Sequence, residues 1–494
     1  MKMRKYILKR ILRSIISVFI VVSIVIAMIF TLIPRTKVLD LDTSYRKMTG
    51  DNKTAYRFTT FEKLGYLDFV RISDICAESE NPSACSVNKS AEQQAMLEKY
   101  ENDGYTVEYF RNGTPYAYHD YTVFELALNF WKNLVKFDSV NFVEKTYGVT
   151  DLEKKYYIGK DENNFPAILC SGCEYKYQVY FGHGFPFVHQ NMVKLYFGIS
   201  FPTKSGMHTL DVINEEQGSQ KAILQTFPTG VELESPLNQM TAKYKPNVDH
   251  LDQTRFTDNY ADCKSYYESP SMVETSYIFG IISLVIAYAI GLPAGMGMAR
   301  NKDGIWDKLG VAIINFLIAL PSLALIFFVR QIGSMVFQLP DKFPLLGFGN
   351  IKSYIAPILI LSLLSLPGLM TWTRRYMIDQ SNSDYVKFAK AKGLSQREIF
   401  TKHILKNAVI PIVNGIPASI ILCISGALIT ESAFAIPGMG KMLPDAINKM
   451  NNNMVITLTF IFAALSIFSV LLGDLLMTLV DPRIQLAEKK RGSE

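Results

Sequence analysis

Three clusters in this 494-residue chain hold residue types that could do chemistry. The first is Cys170-x-x-Cys173, followed by His183 and His189. Two thiols and two imidazoles are a zinc ligand set, but the spacing to the first histidine is short for a zinc finger and glycines flank it. A disulfide and two plain thiols are the competing readings. The second cluster, Gly438-Met-Gly440-Lys441, imitates the end of a phosphate-binding loop. It lacks the leading glycine at the right distance and the closing Ser or Thr, so it cannot cradle a nucleotide. The third is the histidine set His119, His183, His189, His208 and His250, around which no acid–base or nucleophile group gathers. The chain is therefore expected to have no catalytic residue, no metal and no cofactor.

The stretch that remains is Asp384 to Pro411, DYVKFAKAKGLSQREIFTKHILKNAVIP, a basic, helix-forming segment between two apolar runs. Asp384 can cap a short helix by accepting backbone N–H groups. Val386, Ala389 and Lys390 recur at helical spacing, and Gly393 suits a helix end because glycine enters the left-handed region without a clash. Ser395-Gln-Arg-Glu398 has the form of a capping box that opens a second helix. The segment reads as helix, sharp turn, helix. It is either a loop whose charges only hold the membrane topology or an element that receives force from a soluble partner.

The elements that must carry this segment are membrane spans. Ile11–Ile33 is an apolar run of 23 residues, long enough to cross a hydrocarbon core. Lys2, Arg4, Lys5, Lys9 and Arg10 precede it, Arg13 lies in its first turn, and no small-residue cleavage site follows, so it reads as an uncleaved span. Five more follow: Val273–Met298, Leu309–Val329, Tyr354–Trp372, Ala408–Thr430 and Met454–Val480. Basic residues fall in alternate loops, which predicts both chain ends in the cytoplasm. Pro293, Pro321, Pro367 and Pro417 lie in the spans, where each removes a backbone hydrogen bond and favours a kink. Gly291 and Gly295 form a small-xxx-small pattern for close helix contact. Asp474 lies within the last span and is expected to face protein or water, either paired with a basic group or reaching for the inner surface. Arg330 and Glu274 sit near outer helix ends and are expected to snorkel.

Between the first two spans, Arg35–Glu268 holds 25 Lys and Arg against 32 Asp and Glu. The soluble part is thus acidic, which argues against nucleic-acid binding. Tyr175–Phe181 and Lys221–Phe227 alternate like strands, and Tyr121–Phe137 has helical amphipathicity, so this part reads as an α+β domain. Five of the six cysteines lie in it. If it is outside the cell, disulfides are possible, and Cys76 with Cys85 is the favoured pair.

The run Ala389-Lys-Ala-Lys-Gly393-Leu394, with Lys402-His-Ile-Leu-Lys-Asn-Ala-Val-Ile-Pro411, resembles the EAA loop of ABC-importer permeases, and more narrowly the dipeptide and oligopeptide group. The glutamate that opens the general pattern is Lys387 here, a basic residue as is common in the peptide group. Glu431-Ser-Ala-Phe434-Ala-Ile-Pro437-Gly438-Met-Gly440 resembles the family's outer pore loop, and Asp481-Pro-Arg483 its terminal helix stop. Asn451-Asn452-Asn453 stands where the family usually has an acidic residue.

The resemblance implies an all-α polytopic membrane protein of six transmembrane helices, the type-1 ABC-importer permease fold, with an extracellular α+β domain between helices 1 and 2. Its parts would be residues 1–34, the outer domain 35–271, the permease core 272–482 and a tail 483–494. It also implies an ATPase-coupling helix at 384–394, with Asp384, Tyr385, Val386, Phe388, Ala389, Lys390, Ala391, Lys392, Gly393 and Leu394 as docking residues. The implied role is oligopeptide import across a bacterial plasma membrane. The implied partners are a second permease, two ATPase subunits, a peptide-binding lipoprotein and membrane lipid. A membrane sensor with an outer ligand-binding domain is the alternative, and the short stretch after Val480 leaves little room for its signalling domain.

Overall fold

The computed structural model describes residues 2–161, 164–181, 188–237, 242–423 and 427–480. The chain divides into two compact units, residues 26–270 and residues 1–25 with 271–494. The first helix, α1 (Lys2–Leu32), opens the chain.

The 26–270 unit is α+β. Helix α2 (Gly50–Lys63) lies beside an antiparallel sheet of β1 (Leu67–Arg71), β2 (Thr106–Tyr109) and β3 (Pro115–Asp120), with β3 in the middle. Their shared core is aromatic, built from Phe58, Phe61, Tyr66, Phe69 and Tyr116. Helix α3 spans Val123–Asn133 behind a Thr122/Glu125 capping box. The expected helix to Phe137 stops there, because Val135–Phe137 pairs as a short strand with Val193–Leu195. Four further strands, Lys155–Lys160, Pro166–Ser171, Tyr177–Phe181 and Val188–Gln190, form a second antiparallel sheet in chain order.

Two disulfides brace this unit. Cys76 is bonded to Cys85 and Cys170 to Cys173. The second bond decides between the readings of the C-x-x-C pair. Tyr260 locks that turn, its hydroxyl accepting from the Gly172 N–H at 3.0 Å and donating to the Cys173 carbonyl at 2.9 Å. Gly172 has φ +89°, and a Cβ there would meet the Val140 carbonyl oxygen at 2.2 Å, so only glycine fits. His183 lies outside the described residues, and His189 stacks on Tyr180. Among the described residues no group of three or more His, Cys, Asp or Glu is placed to hold a metal.

The second unit is helical: α4 (Met272–Arg300), α5 (Ile305–Ala319), α6 (Ser322–Phe337), α7 (Lys352–Ser381), α8 (Asp384–Ala391), α9 (Leu405–Leu422), α10 (Leu428–Ala433), α11 (Met442–Asn448) and α12 (Asn452–Val480). Five described helices, including α1, are long and apolar enough to cross a membrane. The expected span Leu309–Val329, with its kink favoured at Pro321, is two helices, α5 and α6, bent by 102°. Pro321 stands at the break, where its missing N–H and fixed φ end α5 and start α6. Pro293, Pro367 and Pro417 lie inside α4, α7 and α9.

Helices α4 and α7 approach closely through small residues. A Cβ on Gly291 would reach Leu369 at 3.0 Å, and one on Gly295 would reach Thr373 at 2.7 Å. Arg374 of α7 grips Asp307 of α5 with two parallel bonds of 2.6 and 2.7 Å, and Asp307 also accepts from the Asp303 N–H. The Asp307 side chain is only 4% exposed, so this bidentate pair is a strong charge-assisted contact between helix ends.

Candidate functional site

The inner loop is built from its foundation upward. Helix α8 buries Val386 and Ala389 against Met377 of α7 and against Ile399, Ile404 and Ala408. Three residues apart, these two lie on one helix face and fix its rotation. Ser383, not Asp384, occupies the cap position, and Asp384 is the first helical residue. Its carboxylate accepts from Lys387 Nζ at 2.8 Å, one turn on, which draws its pKa below the usual carboxylate range.

The turn after α8 is fully bonded. Gly393 has φ +75°, its N–H bonds the Lys390 carbonyl at 2.9 Å, and the Leu394 N–H reaches back to Ala389 at 3.2 Å. This crossed pair is a Schellman closure. Ser395 and Glu398 then make the capping box the sequence spacing predicted. The chain continues as helix from Gln396 to Leu422, through a π-helical segment at Ile399–Ile404. Thus α8 packs on the end of α7 and on the root of α9.

Two of the expected docking residues are not on the face left outward. Val386 and Ala389 are underneath, and Tyr385 is half-buried. What projects is Phe388, 69% exposed, ringed by Asp384, Lys387, Lys390, Ala391 and Lys392, with Gly393 and Leu394 at the end. An isolated aromatic on a short, rigid, basic helix has the form of an anchor for a partner's pocket.

The loop around Glu431, expected on the outer side, is the other half of the candidate site. The Glu431 side chain is buried, and every oxygen has donors. Oε1 accepts from the Ser276 hydroxyl at 2.7 Å and the Ala427 N–H at 3.2 Å; Oε2 accepts from the Lys441 N–H at 3.1 Å. The Gly440 amide also bonds this carboxylate. Burial pushes its pKa up, and the Ser276 hydroxyl and the amides pull it back. Ser276 accepts in turn from the Met439 N–H at 2.7 Å.

The two glycines exist for this carboxylate. A Cβ on Gly438 would sit 2.4 Å from Glu431 Cδ, and one on Gly440 2.9 Å from Oε2. Phe434 and Ile436 fill a core with Phe279, Ile326 and Phe343, and Pro437 leads into the turn. Arg330 and Glu274 do not snorkel. Arg330 donates to the Ala433 carbonyl at 2.6 Å, and Glu274 closes a capping box with Ser271 at the start of α4. Asn451, Asn452 and Asn453 are buried, and the Asn451 side chain accepts from the Met454 N–H, capping α12.

Sequence reasoning missed Ser276, Arg330 and Asp307 as partners. Only Ser276 left a signal, as the start of a buried stripe with Phe279, Ser283 and Ala287 at helical spacing in α4.

Residues 291–486 match the family described as the inner membrane component of binding-protein-dependent transport systems. The chain is 42% identical over 497 residues to the oligopeptide transport system permease protein AmiC of Streptococcus pneumoniae, covering 99% of each chain. It belongs to the ABC-importer permeases of the peptide group. The Lactococcus lactis dipeptide permease DppB matches at 29% over 51% of this chain and 82% of its own length. The DppB of Bacillus subtilis matches at 27%, over 56% of this chain and 88% of its own. The two partial relatives thus align with about half of this permease, whereas AmiC aligns with nearly all of it. Both loops described above fall within the residues the family match covers. As a peptide-group permease the chain is a multi-pass protein of a bacterial membrane and carries no ATPase of its own.

Proposed function

We propose that this permease forms, with a second homologous permease, the path by which oligopeptides enter the cell. Two ATPase subunits dock on the inner loops, and a peptide-binding protein delivers cargo to the outer loop. The chain crosses the membrane six times, the bent α5–α6 pair counting once. Both ends are cytoplasmic, and the 35–271 domain is outside.

The mounting of α8 supports this reading best. ATP closes the ATPases, which draws the coupling helices together. Because α8 packs directly on α7 and on the root of α9, the push passes into those two spans. Pro367 and Pro417, which each remove a hydrogen bond inside α7 and α9, let the spans bend and rock, and the Glu431-braced loop moves as one piece. ATP must bind the closed state more tightly for this shift to run.

Gly393 provides the test. A Cβ there meets nothing within 4 Å, so a side chain points to the docking side rather than into the fold. Asparagine tolerates positive φ, so Gly393→Asn keeps the turn, and Gly393→Trp obstructs docking. Peptide uptake and ATPase stimulation should survive the first and vanish in the second, with membrane assembly intact in both. Normal uptake by Gly393→Trp would refute the assignment.

A further inference from the structure

Helix α1 carries polar groups where an apolar span would not need them. Lys9, Arg10, Arg13, Ser14 and Ser17 line a cavity of about 390 Å³, closed on the other side by Ile467 and Val470 of α12. Arg10 is ion-paired with Asp474 at the same seam. Going down α1 from Arg10 to Ser17 matches going up α12 from Asp474 to Ile467, so the helices run antiparallel with their residues in step. Seven residues of helix cover about 10 Å, so the cavity is a slot rather than a point.

The slot has a polarity along its length. Lys9, Arg10 and Arg13 crowd one end, the hydroxyls of Ser14 and Ser17 come next, and Ile467 and Val470 form the wall. Asp474 answers only one of the three cations. Lys9 and Arg13 have no carboxylate partner among the described residues, and the rest of this α1 surface is exposed Leu8, Ile11, Leu12, Ile15 and Ile16. Positive charge at a cytoplasmic helix end is explained by topology alone. Convergence of that charge on a hydroxyl-lined slot against a second span is not.

We propose that this slot binds the phosphate headgroup of an anionic phospholipid of the inner leaflet. Lys9 and Arg13 attract the phosphate, the Ser17 hydroxyl donates to its oxygens while that of Ser14 stays bonded to the Arg10 carbonyl, and an acyl chain lies along Ile467 and Val470. Basic pockets between spans at the cytoplasmic surface suit such headgroups. The bound lipid would seal the seam between first and last spans. The inference rests on the inward orientation of the N-terminus proposed above.

The test is lipid retention by the purified importer complex, read by native mass spectrometry after exchange into phosphatidylglycerol or phosphatidylcholine. The complex should retain phosphatidylglycerol in preference. The double variant Lys9→Gln/Arg13→Gln should lose that preference by about thirtyfold, the effect of two basic groups near a membrane surface. Ser17→Leu fills the slot with every charge kept, and should also release the lipid. Lys308→Ala, a basic residue outside the slot, should change nothing. Equal retention of phosphatidylcholine, or unchanged retention in both slot variants, would overturn the proposal. Displacement of the lipid by inorganic phosphate would also overturn it, in favour of a free-phosphate site. Accessibility labelling of a cysteine at Lys9 checks orientation separately, so a wrong topology is distinguishable from an empty slot.

Discussion

Replacing Glu431 with glutamine keeps the shape of the outer loop's central side chain, removes its charge and puts an NH₂, which cannot accept, where even a protonated carboxyl keeps an accepting oxygen. In the wild type one carboxylate takes the Ser276 hydroxyl and the amides of Ala427, Gly440 and Lys441. An amide side chain has one acceptor oxygen and one NH₂, so two of these donors would face another donor. Two such losses cost about 3 kcal/mol. Glutamine is cheaper to bury than a carboxylate, which returns part of this, and the net is about 2 kcal/mol. That predicts roughly thirtyfold faster hydrogen exchange at the Gly440 and Lys441 amides in Glu431→Gln, measured on the complex in nanodiscs. The pH dependence has a definite sign. Burial is the largest influence and raises the folded-state pKa of Glu431, so the folded loop holds its proton at a higher pH than the unfolded chain. Loop stability is therefore fullest below the ordinary glutamate pKa and declines as pH rises through the raised one. Glu431→Gln should abolish that decline. Exchange at Gly440 and Lys441 that is the same in wild type and variant, at every pH, would refute the carboxylate's role.

Further outcomes follow from the same geometry. Gly438→Ala should loosen the outer loop as much as Glu431→Gln or more, since its methyl would occupy the carboxylate's position; the same exchange experiment reads it. On the inner loop, Phe388→Ala should leave thermal stability unchanged but weaken ATPase-subunit binding by about thirtyfold, the loss of one aromatic anchor of about 2 kcal/mol. Val386→Ala should do the reverse in kind, lowering thermal stability by about 2 kcal/mol through the buried face of α8. Breaking the Cys76–Cys85 bond, which closes a short loop, should cost the outer domain about 2–3 kcal/mol, measured as a shift in its unfolding midpoint on replacing both cysteines with serine.

The parts of the fold legible in the sequence were those governed by local rules. Gly393 and the Ser395–Glu398 box are read from neighbours a few residues apart, and both form as expected. The Cys76–Cys85 pair follows the same logic. The apolar runs place most of the helices because length and hydropathy are one-dimensional. What failed depended on tertiary partners. The π-helical Ile399–Ile404 is not encoded in periodicity, and at Pro321, where a kink was expected, only its size of 102° was not. The bond from Arg330 to Ala433 spans 103 residues and that from Ser276 to Glu431 spans 155, so neither pairing is readable locally; the α4 stripe marks Ser276 as inward but not its partner. Most instructive is α8, where Val386 and Ala389 look like a partner's contact surface in sequence but are its footing in space. Which face of an amphipathic helix is buried at home cannot be told from the helix alone.

The measurement that bears most directly on the whole account is labelled-peptide uptake into proteoliposomes, with ATP supplied on the side that carries α8. Vesicles holding both permeases, the ATPase subunits and the peptide-binding protein should accumulate peptide as ATP is consumed. Vesicles lacking only the ATPases should accumulate none. Concentrative uptake in the second preparation would contradict the claim that force enters this permease through α8.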